Sequence, residues 1–201
     1  MDTNTSSLDE DAAKNSEPWP PRTLNTTPQD TQCDAWKRML DLVEQAAEDG
    51  RDDFRPSREL GWETWSQVIT LPPTIAKLKS VKKLNLYGSN LVRIPPQIGE
   101  MTALEEFDPY TSYGLHWFPY EITRCPHLKG STVSTRALYG NRNTHPPFPH
   151  LPSFWPELTP LTCSVCNGPF PTSGPLQCWI SLRVATDVLP LLVHACSIEC
   201  I

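Results

Sequence analysis

Between Ile69 and Asn141 the chain returns to its own pattern every 23 to 24 residues. Leu71-Pro72 recurs as Ile94-Pro95 and Phe118-Pro119, Ile75 as Ile98 and Ile122, Leu78 as Met101 and Cys125, and Val81 as Leu104 and Leu128. Four agreeing columns constrain the fold more than composition does. A unit this short cannot enclose its own apolar face, so successive units must stack and share one core. In this register Cys125 is a buried apolar side chain and not a nucleophile. Lys82-Lys83 and Glu105-Glu106 fall at equivalent positions of neighbouring parallel strands, about 4.8 Å apart, where opposite charges are expected to pair.

Within one unit, Val81, Leu84, Leu86 and Leu91 follow a strand-then-turn frame, with Ser89 where a turn asparagine usually sits. Residues 71–107 therefore resemble the short leucine-rich repeats of bacterial and plant interaction proteins, and the likeness covers about 75 of 201 residues. It weakens later, where Phe107-Asp108-Pro109-Tyr110 and Ser131-Thr132-Val133 replace the usual leucines. The resemblance implies an α/β fold: a short solenoid of about three repeats with parallel strands, an N-terminal capping helix and a small C-terminal zinc-finger-like module. It also implies a concave binding face carrying Lys83, Asn85 and Tyr87, then Glu106, Asp108 and Tyr110, then Gly130, Thr132 and Ser134, with another protein as the partner. The turn from Tyr110 to Tyr120 is dense in aromatics. Either these pack across an irregular turn, or Tyr113, His116 and Trp117 form an exposed recognition patch.

The flanks divide accordingly. Residues 1–29, polar and including Pro18-Trp19-Pro20-Pro21, are expected to be disordered. Residues 30–68 supply a capping helix and junction. Trp36, Met39, Leu40, Val43 and Ala47 keep helical spacing, Thr31 with Asp34 resembles a capping box, and Gly50 is placed to end the helix. Trp62 and Trp65 are expected to plug the junction to the repeats, which span 69–143. Residues 144–160 form a proline-rich connector with Phe148, Phe154 and Trp155.

Residues 161–201 carry two close cysteine pairs, Cys163/Cys166 and Cys196/Cys200, separated by 29 residues. Two such pairs can enclose one tetrahedral zinc ion, and Asn167-Gly168-Pro169 suits a tight metal knuckle. Cys196-Ser197-Ile198-Glu199-Cys200 resembles the signature of treble-clef fingers, including the MYND type, in which a knuckle and hairpin give two ligands and a helix start gives two more. Ala195 stands where such fingers carry an aromatic, and only Ile201 follows Cys200; His194 is an alternative ligand. Leu176, Cys178, Ile180, Leu182 and Val184 alternate with polar positions, which predicts a strand with Cys178 on a buried face.

Function classes narrow by exclusion. No apolar run reaches 18 residues, Pro190 interrupting the longest candidate, and the acidic N-terminus is not a secretory signal. Seven cysteines, an odd number, favour reduced thiols or metal ligation in the cytoplasm over disulfides. The net charge of -6 and the weak basic surplus of 71–143 do not support nucleic-acid binding. No nucleophile elbow, phosphate loop, HExxH or dinucleotide glycine pattern occurs. The sequence thus points to a non-enzymatic interaction module, with a ubiquitin-ligase-like effector and a thiol redox sensor at Cys163/Cys166 as alternatives.

Overall fold

A computed structural model describes residues 23–133, 148–151 and 159–201. The expectations for residues 1–22, Ser134, Phe154 and Trp155 lie outside these. Helix α1, Asp34–Glu48, buries Ala35, Met39, Leu42, Val43 and Ala46 along one side, because their three-to-four spacing gathers them into a stripe. Its cap is Cys33, whose Sγ accepts from Trp36 N at 3.4 Å, in place of the box expected at Thr31. Gly50, at φ 60°, follows the last turn and lets its N–H reach back to Ala47 O.

The repeating unit pairs a 3-10 turn with a short strand. The turns are Pro73–Lys77, Pro96–Glu100 and Tyr120–Arg124, each entered through an extended proline: Pro72, Pro95 and Pro119. Proline fits because its fixed φ suits the entry and a turn's first residues have no helical N–H partner to lose. Strands β1 (Asp53–Phe54), β2 (Lys83–Asn85), β3 (Glu106–Asp108) and β5 (Gly130–Ser131) form one parallel sheet in the order β1-β2-β3-β5. Each strand enters it alike. Lys82 and Lys83 N share Asp52 O, Glu105 and Glu106 N share Lys82 O, and Lys129 and Gly130 N share Glu105 O. β1 lies inside the stretch read as junction, so the sheet gains a strand ahead of the first proline-marked unit.

The repeating columns are the core: Ile75, Ile98 and Ile122 are fully buried, as are Leu78 with Met101 and Val81 with Leu104. Cys125 is buried in its column and donates to Ile98 O at 3.3 Å. At the opposite corner Ser89 and Ser112, 23 residues apart, are buried with hydroxyls 2.6 Å apart. Ser112 Oγ donates to Leu86 O and accepts from Ser89 N, and Ser89 Oγ accepts from Leu91 N. A serine ladder thus satisfies the turn backbone that would otherwise be buried without partners.

Strands β6 (Leu176–Val184) and β7 (Asp187–Ala195) form an antiparallel hairpin, and β4 (Phe118–Pro119) adds to β7 in parallel. β7 is buried throughout, and Val184, Leu189 and Leu191 join the repeat core. The buried Asp187 accepts from Val133 N at 2.7 Å and Ser131 Oγ at 3.3 Å, closing the backbone just past β5. Two expectations fail here. Trp65 is buried, but Trp62 is 60% exposed, because the helix α3 they share (Trp62–Trp65, after α2, Pro56–Leu60) is one turn long and only its far end faces the core. β6 has no single buried face: Ile180 and Leu182 pack on the main core while Trp179 packs with Leu24, Trp117 and Leu192, and Cys178 is only half-buried. Leu24 lies in the stretch expected to be disordered, where residues 23–29 run as an irregular strap tied by Gln29 Oε1 to Ile69 N at 2.8 Å. No helix among the described residues is long and apolar enough to cross a membrane.

Gly99 marks how closely the units stack, since a Cβ there would stand 2.5 Å from Glu121 O. Gly99→Ala is expected to destabilise the protein by about 1–3 kcal/mol through overpacking. Thermal melts of the two proteins check this, and an unchanged midpoint would contradict such close stacking.

Candidate functional site

The first cysteine pair sits on a knuckle built by its own backbone. Cys163 N donates to Gly168 O at 2.8 Å and Asn167 N to Cys163 O at 3.0 Å, while Asn167 adopts φ 60°. Gly168 N then points at Cys166 Sγ, 3.4 Å away, and a Cβ on Gly168 would lie 3.2 Å from that sulfur. The second pair follows β7 into a 3-10 turn, Ile198–Cys200, with Cys196 N donating to Cys163 Sγ at 3.4 Å. The sulfurs of Cys163, Cys166, Cys196 and Cys200 all lie within 4.8 Å of one another, with Cys166–Cys196 at 3.5 Å and Cys196–Cys200 at 3.6 Å. A tetrahedral ion bound at about 2.3 Å separates its sulfurs by about 3.8 Å. The four cysteines are close enough to hold a metal ion such as zinc.

Their electrostatics are graded. Burial works against ionising Cys163, but N–H donors from Cys166, Val165 and Cys196 outweigh it and bring its thiol down to about 6. Hydrogen bonds with Cys196 and Cys166 push Cys200 up to about 12, and the contact with Cys166 likewise holds Cys196 above the usual thiol range. The N–H donors thus favour the thiolate at Cys163, while Cys196 and Cys200 hold their protons more tightly and a cation must displace them.

The knuckle is anchored to the repeats through Ser164, which is fully buried. Ser164 N donates to His194 O at 2.8 Å, and His194 N donates to Ser164 Oγ at 3.3 Å. Arg124, in the last repeat turn, donates to Ser164 O. The neighbouring Glu121 is buried, which raises its carboxyl, with hydrogen bonds to its own backbone and to Ser164 pulling the other way. His194 stands apart from the sulfur cluster: its Nε2 lies 3.0 Å from Gln177 Nε2 across the hairpin, and burial lowers it to about 4. Arg124, Glu121 and Ser164 carried no signal in the sequence, because no repeat column or cysteine spacing points to them.

The sheet face away from the core brings together six of the residues expected there, of which Asn85 is buried. Lys83 Nζ meets Glu106 Oε2 at 2.7 Å, Asn85 Nδ2 donates to Asp108 Oδ2 at 3.1 Å, and the rings of Tyr87 and Tyr110 stand 6.0 Å apart. Glu105 pairs with Lys129 and not with Lys82. Tyr113 is exposed, at an open groove of about 640 Å³ also lined by Trp62, Gly88 and Thr111. His116 is half-buried. Trp117 is only 4% exposed and belongs to the cluster with Leu24 and Leu192, so of the two alternatives for this turn, packing holds for Trp117, and of Tyr113, His116 and Trp117 only Tyr113 is exposed. The hairpin covers Trp117. No model of a known protein family matches the chain, and none of the curated proteins compared with it is similar.

Because Cys196 and Cys200 must each surrender a proton to bind a cation, acidification weakens binding. Between about pH 8 and pH 7 the apparent affinity for Co²⁺ is expected to fall by at least about a hundredfold, one decade each for the protons on Cys196 and Cys200. Chelator competition followed at the thiolate charge-transfer band measures this; a pH-independent affinity contradicts the ligand set.

Proposed function

We propose that the protein is a short leucine-rich-repeat module that binds another protein through its exposed sheet face, and that its four cysteines hold one structural zinc ion. The observation that carries the first part is the pairing of Tyr87 with Tyr110, about half exposed at 50% and 47% and set 23 residues apart at equivalent points of adjacent units. Tyrosine offers large contact area at little rotamer entropy, which is why it anchors interfaces. The 23- and 24-residue recurrence of 3-10 turn, strand and buried serine supports the repeat reading.

For the metal, four sulfurs leave no open position, which suits a structural ion, and an all-thiolate tetrahedral set suits zinc among common divalent ions. The order of knuckle, hairpin and ligand-bearing turn agrees with the treble-clef resemblance. Ligation contributes on the order of 10 kcal/mol to folding at such sites. The cytoplasm, where thiols stay reduced, is the compartment that suits it.

Two experiments test this. Protein purified without tag or chelator is expected to carry about one zinc per chain with four protected thiols; metal-free, readily oxidised thiols would favour the redox-sensor alternative instead. A photocrosslinker at the exposed position 113, used in the native host, is expected to capture a partner from the otherwise unchanged chain that it no longer captures in the Tyr87→Ala/Tyr110→Ala double variant. An identical captured set from both proteins sinks the docking face.

A further inference from the structure

Strands β2 and β3 present an ion pair and then an amide–carboxylate hydrogen bond, and the turns that follow them add an aromatic pair. On the flanking β1 side, Asp53 and Arg55 pair with each other at 3.2 Å. Arg55 and Lys83 therefore answer Asp53 and Glu106, and among the described residues no cation pairs with Asp108. Its Oδ1 accepts from Tyr110 N at 3.3 Å and its Oδ2 from Asn85 Nδ2 at 3.1 Å. These bonds fix the plane of the carboxylate and use one lone pair of each oxygen, leaving capacity for another donor. The Tyr87 and Tyr110 rings stand just beyond, in those turns.

We propose that this face binds a cationic side chain, an arginine or lysine from a basic segment of a partner protein, with its charge on Asp108 and its plane or stem against Tyr87 and Tyr110. This rests on the reading of the face as a docking surface and names its chemistry. Aromatic faces attract cations lying within about 6 Å of the ring. A carboxylate beside them supplies direction, and a planar guanidinium can satisfy both partners at once. On the face itself Arg55 and Lys83 are matched by Asp53 and Glu106, so the carboxylate of Asp108 is the charge left to attract a basic partner. A phosphorylated or acidic partner fits poorly, because Arg55 and Lys83 are already paired.

The probe is a capped peptide of alternating arginine and glycine, titrated into the full-length zinc-loaded protein and followed by amide NMR, with its citrulline counterpart as the uncharged control. Saturable shifts centred on Tyr87, Asp108 and Tyr110 are expected. Asp108→Asn, which keeps an acceptor for Tyr110 N, is expected to weaken binding about tenfold or more, with Asp108→Glu retaining most of it and the citrulline peptide inert. Unchanged spectra away from the face show that each variant is folded. Equal binding by Asp108→Asn, shifts mapping elsewhere, or no saturation overturns the proposal. If the crosslinked native partner is lost by Tyr87→Ala/Tyr110→Ala but kept by Asp108→Asn, the docking face stands and the cation site falls.

Discussion

A unit with one three-residue strand and one five-residue 3-10 turn has no interior, so every buried side chain in the array is buried by a neighbour. Ile98 is covered because Ile75 and Ile122 lie in the same column on either side. Apolar burial is worth about 25 cal/mol per Å², and it is collected only when consecutive units are in register. The shared-carbonyl entry to each strand and the serine ladder at the opposite corner set that register. Between them, backbone groups at both corners of the stack find partners.

Stacking leaves two open ends, and the chain closes each by a different device. At the first, α1 lays its apolar stripe on the edge, and Glu44 meets Lys77 at 2.6 Å. At the last, a hairpin brings Val184, Leu189 and Leu191 into the same core, while Asp187 takes the N–H that a further strand would have taken. The cysteine knuckle holds this second cover in place: Ser164 bonds both the end of β7 and the last repeat turn through Arg124. A cation at the four sulfurs would tie knuckle to hairpin, and through Ser164 that tie reaches the array. The four-cysteine cluster and the repeating units are thus joined through Ser164, although nothing in their sequences resembles one another.

Features that depend on one residue's immediate surroundings were legible in the sequence. The apolar columns, the burial of Cys125, the Lys83–Glu106 pair and the convergence of the four cysteines all follow from spacing alone. Features that depend on which distant segment arrives as cover were not. Trp117 reads as either packed or exposed until β7 and Leu24 are laid over it, and the alternation in β6 suggests one buried face until Trp117 and Leu192 give Trp179 a second. Trp62 failed for a different reason: a spacing of three predicts a common helical face, but one turn of helix beginning at Gly61, φ 75°, does not aim both rings at the same core.

The ion pair and the aromatic pair on the sheet face contribute little to holding this structure together. Lys83 and Glu106 are both about half exposed at the side chain, and exposed pairs of this kind contribute about 0–1 kcal/mol. The Tyr87–Tyr110 contact adds about as much again. The core lies on the other side of the sheet, in Leu84 and Phe107, which are fully buried. Stability therefore places few demands on residues 83, 87, 106 and 110, whereas the buried Asn85 is held through both atoms of its amide, to Asp108 and to Tyr87 N. The ion pair and the aromatic pair flank that buried amide on exposed surface, where recognition chemistry can vary without disturbing the stack beneath it.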